Sequence, residues 1–406
     1  MFDIYEPIIY YKSSEHMEEI EDNSIQLIIT SPPYGKIKDY GSDSQIGFYD
    51  SFEEYFERLK EVWKECFRVL ESQCRMVINI GDQYLRTTDF GRYRILSIAS
   101  RIINDCVEIG FDFLGDIIWQ KVSTTNTTGG CTLMGSIYYP RNGLLTYDYE
   151  HILIFKKHQG KRKKIDLKKK ELSKISLSEW KKWFIGHWTF PGVLQKEHIA
   201  MFPEELPYRV IRMFSLIGDK VLDPFVGSGT TLKVAKSLFR KGIGFELNND
   251  FKPIIENKIS TSQIGDYRDY QYLIYTLYKK SQNTNFEINY KEQRQKGIIV
   301  LQDSENREII IDYLFIDEVI NEPEFLMNEI KTKLEENTLQ NYLKNQPKWE
   351  SYNNYVIVLN SKYSQNQIIQ NTIKKVIGSI QKIKKIQFKM FEEIVKDEFK
   401  ILDLFI

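Results

Sequence analysis

The sequence has no long hydrophobic run and no excess of charge of either sign. No apolar stretch approaches the roughly 18 residues that a membrane-spanning helix needs, and the acids Asp3 and Glu6 stand where a secretory signal would be basic. Lys plus Arg and Asp plus Glu both number 56, so binding to a polyanion would need a local cluster of basic side chains. We expect a soluble, cytoplasmic protein.

Cysteine and histidine are also scarce. The four cysteines form no CxxC pair, and the five histidines show no HExxH or Cys/His spacing that would hold zinc. This composition predicts a reduced intracellular protein without a structural metal. The 406 residues, 42% of them hydrophobic, are enough for one large core and a second, smaller domain.

Short apolar runs alternate with amphipathic stretches through the first two thirds of the chain. The predicted strands are 24–30, 76–81, 115–119, 151–155, 220–223 and 243–246, and the predicted helices are 51–67, 95–109 and 230–241. Ser51 and Glu54 form a capping-box pattern at the start of the first helix, and Gly242 is predicted to end the last one. Strands that alternate with helices favour a parallel α/β sheet covered on both faces.

A glycine-containing loop is predicted between the strand at 220–223 and the helix that follows. It reads Asp223-Pro224-Phe225-Val226-Gly227-Ser228-Gly229-Thr230-Thr231. The glycines let the backbone approach a ligand closely, and the helix presents free N–H groups at its positive end. No Gly-Lys-Ser/Thr follows, and Leu232 stands where a dinucleotide fingerprint has its third glycine, so phosphate binding is disfavoured. A purely structural glycine turn is the alternative.

An acid at the end of the next predicted strand narrows the choice of ligand. Glu246 lies 17 residues beyond Gly229, close to where an acid accepts both hydroxyls of a ribose. A nucleoside without a phosphate satisfies both features. S-adenosylmethionine is such a ligand, and Asp223 or a neighbouring acid would hold the ammonium group of its amino-acid tail.

The strand at 24–30 stops at Ser31-Pro32-Pro33-Tyr34. Consecutive prolines fix φ at about −65° and remove N–H donors, so nearby carbonyl groups keep their acceptors available. Ser31 Oγ and the Pro32 carbonyl would accept the two hydrogens of the exocyclic amino group of a base. Tyr34 would stack on that base once it has left the duplex. For an isolated motif of this kind, a turn with a core-packed tyrosine is the alternative.

With both motifs in place, the sequence resembles the β group of DNA amino-methyltransferases, in which the catalytic motif precedes the cofactor motif in a permuted chain order. The resemblance covers roughly residues 5–260. The matching segments are 30–34 (catalytic motif), 223–231 (cofactor loop), 244–246 (ribose-binding acid) and 198–207 (the helix before the cofactor loop). Weaker matches are 79–82, 150–155 and Asp39.

The resemblance implies a doubly wound, mostly parallel sheet of the S-adenosylmethionine-dependent methyltransferase type over residues 1–265. It implies methylation of double-stranded DNA, which would protect the DNA from a cognate restriction endonuclease. The implied catalytic residues are Ser31, Pro32, Pro33 and Tyr34, and the implied cofactor-binding residues are Asp223, Pro224, Phe225, Gly227, Gly229, Thr230, Glu246 and Asp39. Serine at the first motif position usually accompanies N4-cytosine methylation, so cytosine is the expected target and N6 of adenine the alternative.

Two segments between the motifs are candidates for target recognition. Residues 123–141 are rich in Thr and Gly, and residues 156–190 combine a basic run with three tryptophans. Between Lys156 and Lys182 there are twelve Lys and Arg against three Asp and Glu, which suits either a solvated linker or a surface that follows DNA phosphates.

Residues 266–406 form a predicted smaller α+β domain of unassigned role. A DNA-contacting or dimer-forming accessory domain is the first interpretation, with a long helix-like run from Ile368 to Val395 that interleaves Ile and Lys. A purely stabilising domain and a fused nuclease based on Asp312 and Lys362 are the others. The chain would act as a monomer or homodimer. An RNA or protein-glutamine substrate, and a non-catalytic DNA-binding module, stay open as alternatives.

Overall fold

The structure of the protein is a computed structural model. It describes residues 4–35, 39, 41, 43–85, 87–121, 134–135, 139, 141, 143–145, 147–161, 163–165, 169–170, 173, 175, 177–192, 202–262, 273, 276–277, 280–281, 287–289, 298–302, 308–314, 354–359, 371 and 386–390. The chain divides into two compact units, Met1–Ile264 and Gly265–Ile406. Among the described residues, no helix has the length and apolar character to cross a membrane.

The first unit contains strands and helices in alternation. Its strands are β1 (Ile8–Tyr10), β2 (Ile25–Thr30), β3 (Leu70–Ile80), β4 (Gln83–Leu85), β5 (Arg94–Leu96), β6 (Phe111–Lys121), β7 (Met134–Gly135), β8 (Gly143–Leu144), β9 (Tyr149–Lys157), β10 (His187–Phe190), β11 (Lys220–Asp223) and β12 (Lys241–Phe245). Its helices are α1 (Phe52–Val69), α2 (Thr87–Phe90), α3 (Ile98–Ile109), α4 (Leu177–Trp183), α5 (Glu205–Phe214), α6 (Thr230–Ser237) and α7 (Lys252–Ser260), with a 3₁₀ turn at Asn249–Phe251.

Eight of these strands form one sheet in the order β1-β12-β11-β2-β3-β9-β6-β10. Neighbours pair in parallel except that β9 runs antiparallel to both β3 and β6. The prediction of a doubly wound, mostly parallel sheet is confirmed. Since β2, β3, β11 and β12 all point the same way, their carboxyl ends meet at one edge of the sheet, which we call the carboxyl edge.

The sheet buries side chains on both of its faces. Along β2, Ile28 packs with α1 and α3 on one face, whereas Leu27 and Ile29 pack with α4, α5 and α6 on the other. At the start of α1, Glu54 N–H donates to Ser51 Oγ (3.2 Å), and Ser51 N–H donates to Glu54 Oε2 (2.7 Å). This is the predicted capping box, an arrangement worth about 1 kcal/mol to a helix.

The helix predicted at 230–241 is shorter than expected, and Gly242 does not end it. Helix α6 stops at Ser237, Phe239 takes a positive φ of 62°, and Gly242 lies inside β12. The reversal is stabilised by Arg240, which is fully buried and donates to the carbonyl oxygens of Leu238 (2.7 Å) and Ser215 (2.8 Å). A buried arginine that closes a turn through distant carbonyls leaves no periodic signal in the sequence.

The second unit contains a five-stranded sheet. Its strands are β13 (Glu287–Asn289), β14 (Ile298–Gln302), β15 (Glu308–Leu314), β16 (Asn354–Leu359) and β17 (Ile386–Met390), in that spatial order. The first three pair antiparallel, and the last two add in parallel. The helix-like run predicted from Ile368 to Val395 is wrong over β17, because Ile386, Phe388 and Met390 alternate with polar residues at the two-residue period of a strand.

Candidate active site

A cavity opens at the carboxyl edge, where the turn after β2 meets the loop after β11 and the end of β12. It encloses about 900 Å³, part of it open to solvent. The lining residues are Lys12, Ser13, Ser14, Ser31, Pro32, Pro33, Tyr34, Gln45, Ile46, Phe202, Pro224, Phe225, Val226, Gly227, Ser228, Thr230, Phe245, Glu246, Leu247, Asn248 and Phe251. The two motifs, which are far apart in the sequence, therefore share one cavity wall.

Two side chains outside the motif hold the Ser-Pro-Pro-Tyr turn in place by hydrogen bonds to its backbone. Tyr55 Oη on α1 donates to the Pro33 carbonyl (2.8 Å), and Gln83 Nε2 donates to the Tyr34 carbonyl. The Pro33 carbonyl thus already accepts one hydrogen bond from within the protein. No described residue hydrogen bonds the Ser31 hydroxyl, which leaves it available at the cavity wall.

Glu246 follows β12 with its carboxylate oriented by backbone amides. Gly227 N–H donates to Oε2 (2.8 Å) and Asn248 N–H donates to Oε1 (2.9 Å). Burial raises the pKa of this carboxyl group, and the backbone hydrogen bonds from Asn248, Gly227 and Leu247 oppose that rise. Each carboxylate oxygen accepts more than one hydrogen bond, so both oxygens can still receive hydroxyl groups from a ligand.

One glycine in the loop and one in the neighbouring strand allow the loop to adopt its conformation. Gly229 has a φ of 88°, and a Cβ there would lie 3.1 Å from Ile255 Cγ2 on α7. A Cβ on Gly244 in β12 would overlap the Val226 Cγ2 methyl group, so glycine at this position lets the loop lie flat on the strand. Beyond the loop, Lys258 Nζ donates to Ser228 Oγ (2.7 Å) and Thr230 Oγ1 (3.1 Å), which ties α7 to the cavity wall.

Asp223, expected to meet the ligand, lies behind this wall. Its side chain is 1% exposed and does not line the cavity. Oδ1 accepts hydrogen bonds from Thr30 Oγ1 (2.8 Å) and Phe225 N–H (3.0 Å), so the carboxyl group joins the end of β2 to the start of the glycine loop. Burial raises its pKa to about 7, against the lowering effect of hydrogen bonds with the Thr231 and Thr30 side chains and with Phe225 N–H.

The other predicted cofactor residues differ in where they lie relative to the cavity. Pro224, Phe225, Gly227 and Thr230 line the cavity, whereas Gly229 shapes the loop from outside it. Asp39 is exposed, and its Oδ1 accepts a hydrogen bond from Gly41 N–H (2.8 Å). A Cβ on Gly41 would lie 3.2 Å from Asn248 Nδ2, which places the Asp39 turn next to a cavity residue without placing its carboxylate in the cavity.

Sequence reasoning missed several residues that line the cavity. The additional lining side chains include Lys12, Ser13 and Ser14 after β1, Gln45 and Ile46 before α1, and Phe251 in the 3₁₀ turn. None belongs to a motif, and only the fold brings them to the carboxyl edge. Phe202 lies in the predicted segment 198–207. Residues 198–201 fall outside the described residues, and 205–207 form the start of α5.

Three lysines of the basic segment 156–190 bind groups at the opposite edge of the sheet. Lys157 donates to Asn23 Oδ1 (2.8 Å), before β2, and Lys163 pairs with Glu71 (2.9 Å), near the start of β3. Lys169 pairs with Asp219 (2.7 Å), immediately before β11. These lysines bind polar and acidic groups at the amino ends of parallel strands, away from Ser31, so they do not form a free phosphate-binding row.

The tryptophans of this segment mainly serve the core. Trp183 and Trp188 are 4% and 1% exposed, whereas Trp180 is 53% exposed and stacks on Phe184 with ring centroids 4.0 Å apart. Of the three tryptophans in this candidate recognition segment, only Trp180 is exposed enough to contact a partner. Most of the other candidate recognition segment, 123–141, lies outside the described residues.

Comparison with known proteins identifies the class to which this site belongs. A protein-family model described as DNA methylase matches residues 25–257. The type II methyltransferase M.MjaI of Methanocaldococcus jannaschii is 36% identical in an alignment 283 residues long that covers 63% of this chain and 91% of that protein. The type II methyltransferase M.MthZI of Methanothermobacter thermautotrophicus is 32% identical in an alignment 349 residues long that covers 71% of this chain and 96% of that protein.

A solved structure has a similar fold. TTHA0409 of Thermus thermophilus, complexed with S-adenosyl-L-methionine, is 29% identical and has a TM-score of 0.53 over 63% of this chain and 94% of that one. The chain belongs to the DNA methylase family and is a DNA methyltransferase.

Proposed function

We propose that this DNA methyltransferase is an N4-cytosine enzyme of the β group, which transfers the methyl group of S-adenosylmethionine to a cytosine turned out of the duplex. The observation that carries the proposal is the Ser31 hydroxyl. It has no hydrogen-bond partner among the described residues, and it shares a cavity with Tyr34 and Glu246. An acceptor for an amino group, an aromatic ring for a base and an acid for a ribose are thus within one space.

The residues of the cavity fit S-adenosylmethionine. Glu246 keeps lone pairs on both carboxylate oxygens for the ribose hydroxyls. The aromatic side chains of Phe225, Phe245 and Phe251 offer apolar contact to a purine. Gly227 brings backbone close to the ligand, and TTHA0409, which shares the fold, binds this molecule.

When bound, the cofactor supplies a methyl group on a sulfonium, which makes that carbon electrophilic. The chain's own residues orient the acceptor. Ser31 Oγ and the Pro32 carbonyl accept the two amino hydrogens and aim the nitrogen lone pair at the cavity. Tyr34 holds the base by stacking, a contact typically worth about 1–3 kcal/mol per base. The amino nitrogen must lose one proton when it gains the methyl group, and the hydrogen bond to Ser31 Oγ gives that proton a path through the hydroxyl group to solvent.

The choice of cytosine rests on the first residue of the motif. Ser31 is a neutral acceptor, and the Pro33 carbonyl of the same turn already accepts a hydrogen bond from Tyr55. In this proposal Ser31 Oγ and the Pro32 carbonyl accept the two hydrogens of the amino group, and neither is a carboxylate. An aspartate at this position, which usually accompanies adenine methylation, would add a charge and a third acceptor.

The biological setting is part of the same proposal. The two relatives named above are type II methyltransferases, and we infer that this chain likewise protects DNA from a separate cognate restriction endonuclease. It would act as a monomer or homodimer. Residues 266–406 would serve as an accessory domain for DNA contact or association.

The deciding experiment identifies the methylated nucleoside. Purified protein is incubated with unmethylated plasmid DNA and methyl-labelled S-adenosylmethionine, the DNA is digested, and the labelled nucleoside is identified by mass. Label in N4-methylcytosine supports the proposal. Label in N6-methyladenine overturns the base assignment, and cofactor binding without label in DNA overturns the substrate assignment.

A further inference from the structure

A charged pair lies beside Tyr34 at the carboxyl edge. Glu150, near the start of β9, accepts a hydrogen bond from Nζ of Lys121, at the end of β6. A Cβ on Gly81 would lie 3.3 Å from Glu150 Cγ and 3.7 Å from Tyr34 Cε1, so the acid and the tyrosine ring flank the same glycine. Neither Lys121 nor Glu150 lines the cofactor cavity. The pair thus lies next to the ring that stacks on the base, outside the space left for the cofactor.

The Lys121 ammonium group is held in a fixed position. It lies 5.2 Å from the centroid of the Trp119 ring, whose Nε1 donates to the Phe190 carbonyl (3.0 Å). The Glu150 side chain is 13% exposed and that of Lys121 is 33% exposed, so the pair is shielded but reachable. Among the described residues, Glu150 is the hydrogen-bond acceptor of Nζ, and two of the three ammonium hydrogens remain for a ligand.

We propose that Lys121 donates a hydrogen bond to the 2-carbonyl oxygen of the flipped cytosine and that Glu150 positions it; this rests on the proposed function. Lys121 is on β6, three strands from β2 in the sheet. Its bond to Glu150 on β9 directs its ammonium group toward β2, because Glu150 lies against the same glycine as the Tyr34 ring. In cytosine the amino group and the 2-carbonyl oxygen lie at opposite ends of one edge, so the amino group can face Ser31 while the carbonyl oxygen faces Lys121.

Such a contact separates cytosine from adenine. Along the same edge, both bases present an amino group and then a ring nitrogen, but the third position is a carbonyl oxygen in cytosine and a C–H in adenine. With adenine, a shielded ammonium hydrogen would face no acceptor, and sites built to hydrogen bond a substrate reject analogues that lack the partner. Lys121 is therefore a specificity-determining residue, and Glu150 is a positioning residue.

The test uses the full-length protein and synthetic duplexes that carry its target site, mapped by sequencing methylated plasmid from cells that express it. One duplex contains the target cytosine. The other contains a 2-aminopyridine nucleoside, which keeps the amino group and ring nitrogen but has no 2-carbonyl oxygen. Lys121→Met and Glu150→Gln are compared with Lys64→Met, which breaks an exposed ion pair with Glu61 on α1.

We expect Lys121→Met to lower kcat/KM about 10- to 100-fold on the cytosine duplex, as for loss of a hydrogen bond to a charged group, and less than about threefold on the analogue. Glu150→Gln should show the same substrate dependence with a smaller loss, and Lys64→Met should match the wild type. Equal losses on both duplexes, or no loss on cytosine, would overturn the inference. If the wild type labels adenine, the proposed function itself fails whatever the variants do.

Discussion

Replacing Asp223 with asparagine decides whether this acid binds the ligand or has a structural role, joining β2 to the glycine loop by hydrogen bonds. The carboxyl group is 1% exposed and bonded to Thr30 Oγ1 and Phe225 N–H. Asparagine keeps an oxygen that can accept both hydrogen bonds and removes the charge. If the role of Asp223 is structural, Asp223→Asn should leave cofactor affinity nearly unchanged. It should also make the folded state more stable than that of the wild type above neutral pH.

The size of the effect follows from the pKa. Burial raises the pKa of Asp223 from 3.8 to about 7. An acid whose pKa is higher in the folded state does not lower the free energy of unfolding below the unfolded pKa. As the pH rises from the unfolded pKa to the folded pKa, it lowers that free energy progressively. About three pKa units correspond to roughly 4 kcal/mol at most. Relative to the wild type, Asp223→Asn should thus gain about 2 to 3 kcal/mol in unfolding free energy between pH 5 and pH 8.

Urea unfolding followed by tryptophan fluorescence measures this difference. Five of the six tryptophans lie within residues 1–264, so the signal reports mainly on the unit that contains Asp223. Cofactor affinity is measured in parallel by calorimetry. A difference in stability that stays constant with pH would refute the electrostatic argument. A loss of cofactor affinity of about 100-fold or more, without the pH-dependent gain, would show that Asp223 holds the cofactor after all.

Three other substitutions test the site. Ser31→Ala should lower kcat by about 100-fold or more, as for loss of a hydrogen-bonding group that acts in the transition state. Cofactor affinity should stay close to that of the wild type, and a large loss of affinity would contradict the assigned role. Glu246→Gln should weaken cofactor binding about 10-fold in calorimetry, because a neutral amide accepts ribose hydroxyls less strongly, and unchanged affinity would remove Glu246 from the site. Gly244→Ala should cost about 1–3 kcal/mol in urea unfolding through overlap with Val226. Gly186→Ala, where a Cβ meets nothing within 4 Å, should cost little, and equal costs would contradict the packing argument.

The sequence was sufficient to predict the elements that are determined by residues close together in the chain. The strand before Ser31, the capping box of α1 and the glycine loop each depend on residues that are near neighbours in the chain. Their period, turn chemistry and spacing were enough to place Ser31 and Glu246 in one cavity. The sequence also indicated the order of the two motifs, which the sheet then brings together through β11 and β2.

Residues whose role depends on distant partners could not be assigned in this way. Asp223 is predicted from the sequence to hold the ligand, and only the structure shows that its carboxylate is buried and accepts a hydrogen bond from Thr30, 193 positions away. The run of lysines beginning at Lys156 suits either a solvated linker or a phosphate-binding surface, and only the structure shows that Lys157, Lys163 and Lys169 bind groups at the amino ends of strands. Lys121 shows the opposite case. No charged residue stands beside it in the sequence, and the pairing of β6 with β9 brings it to Glu150 at the carboxyl edge.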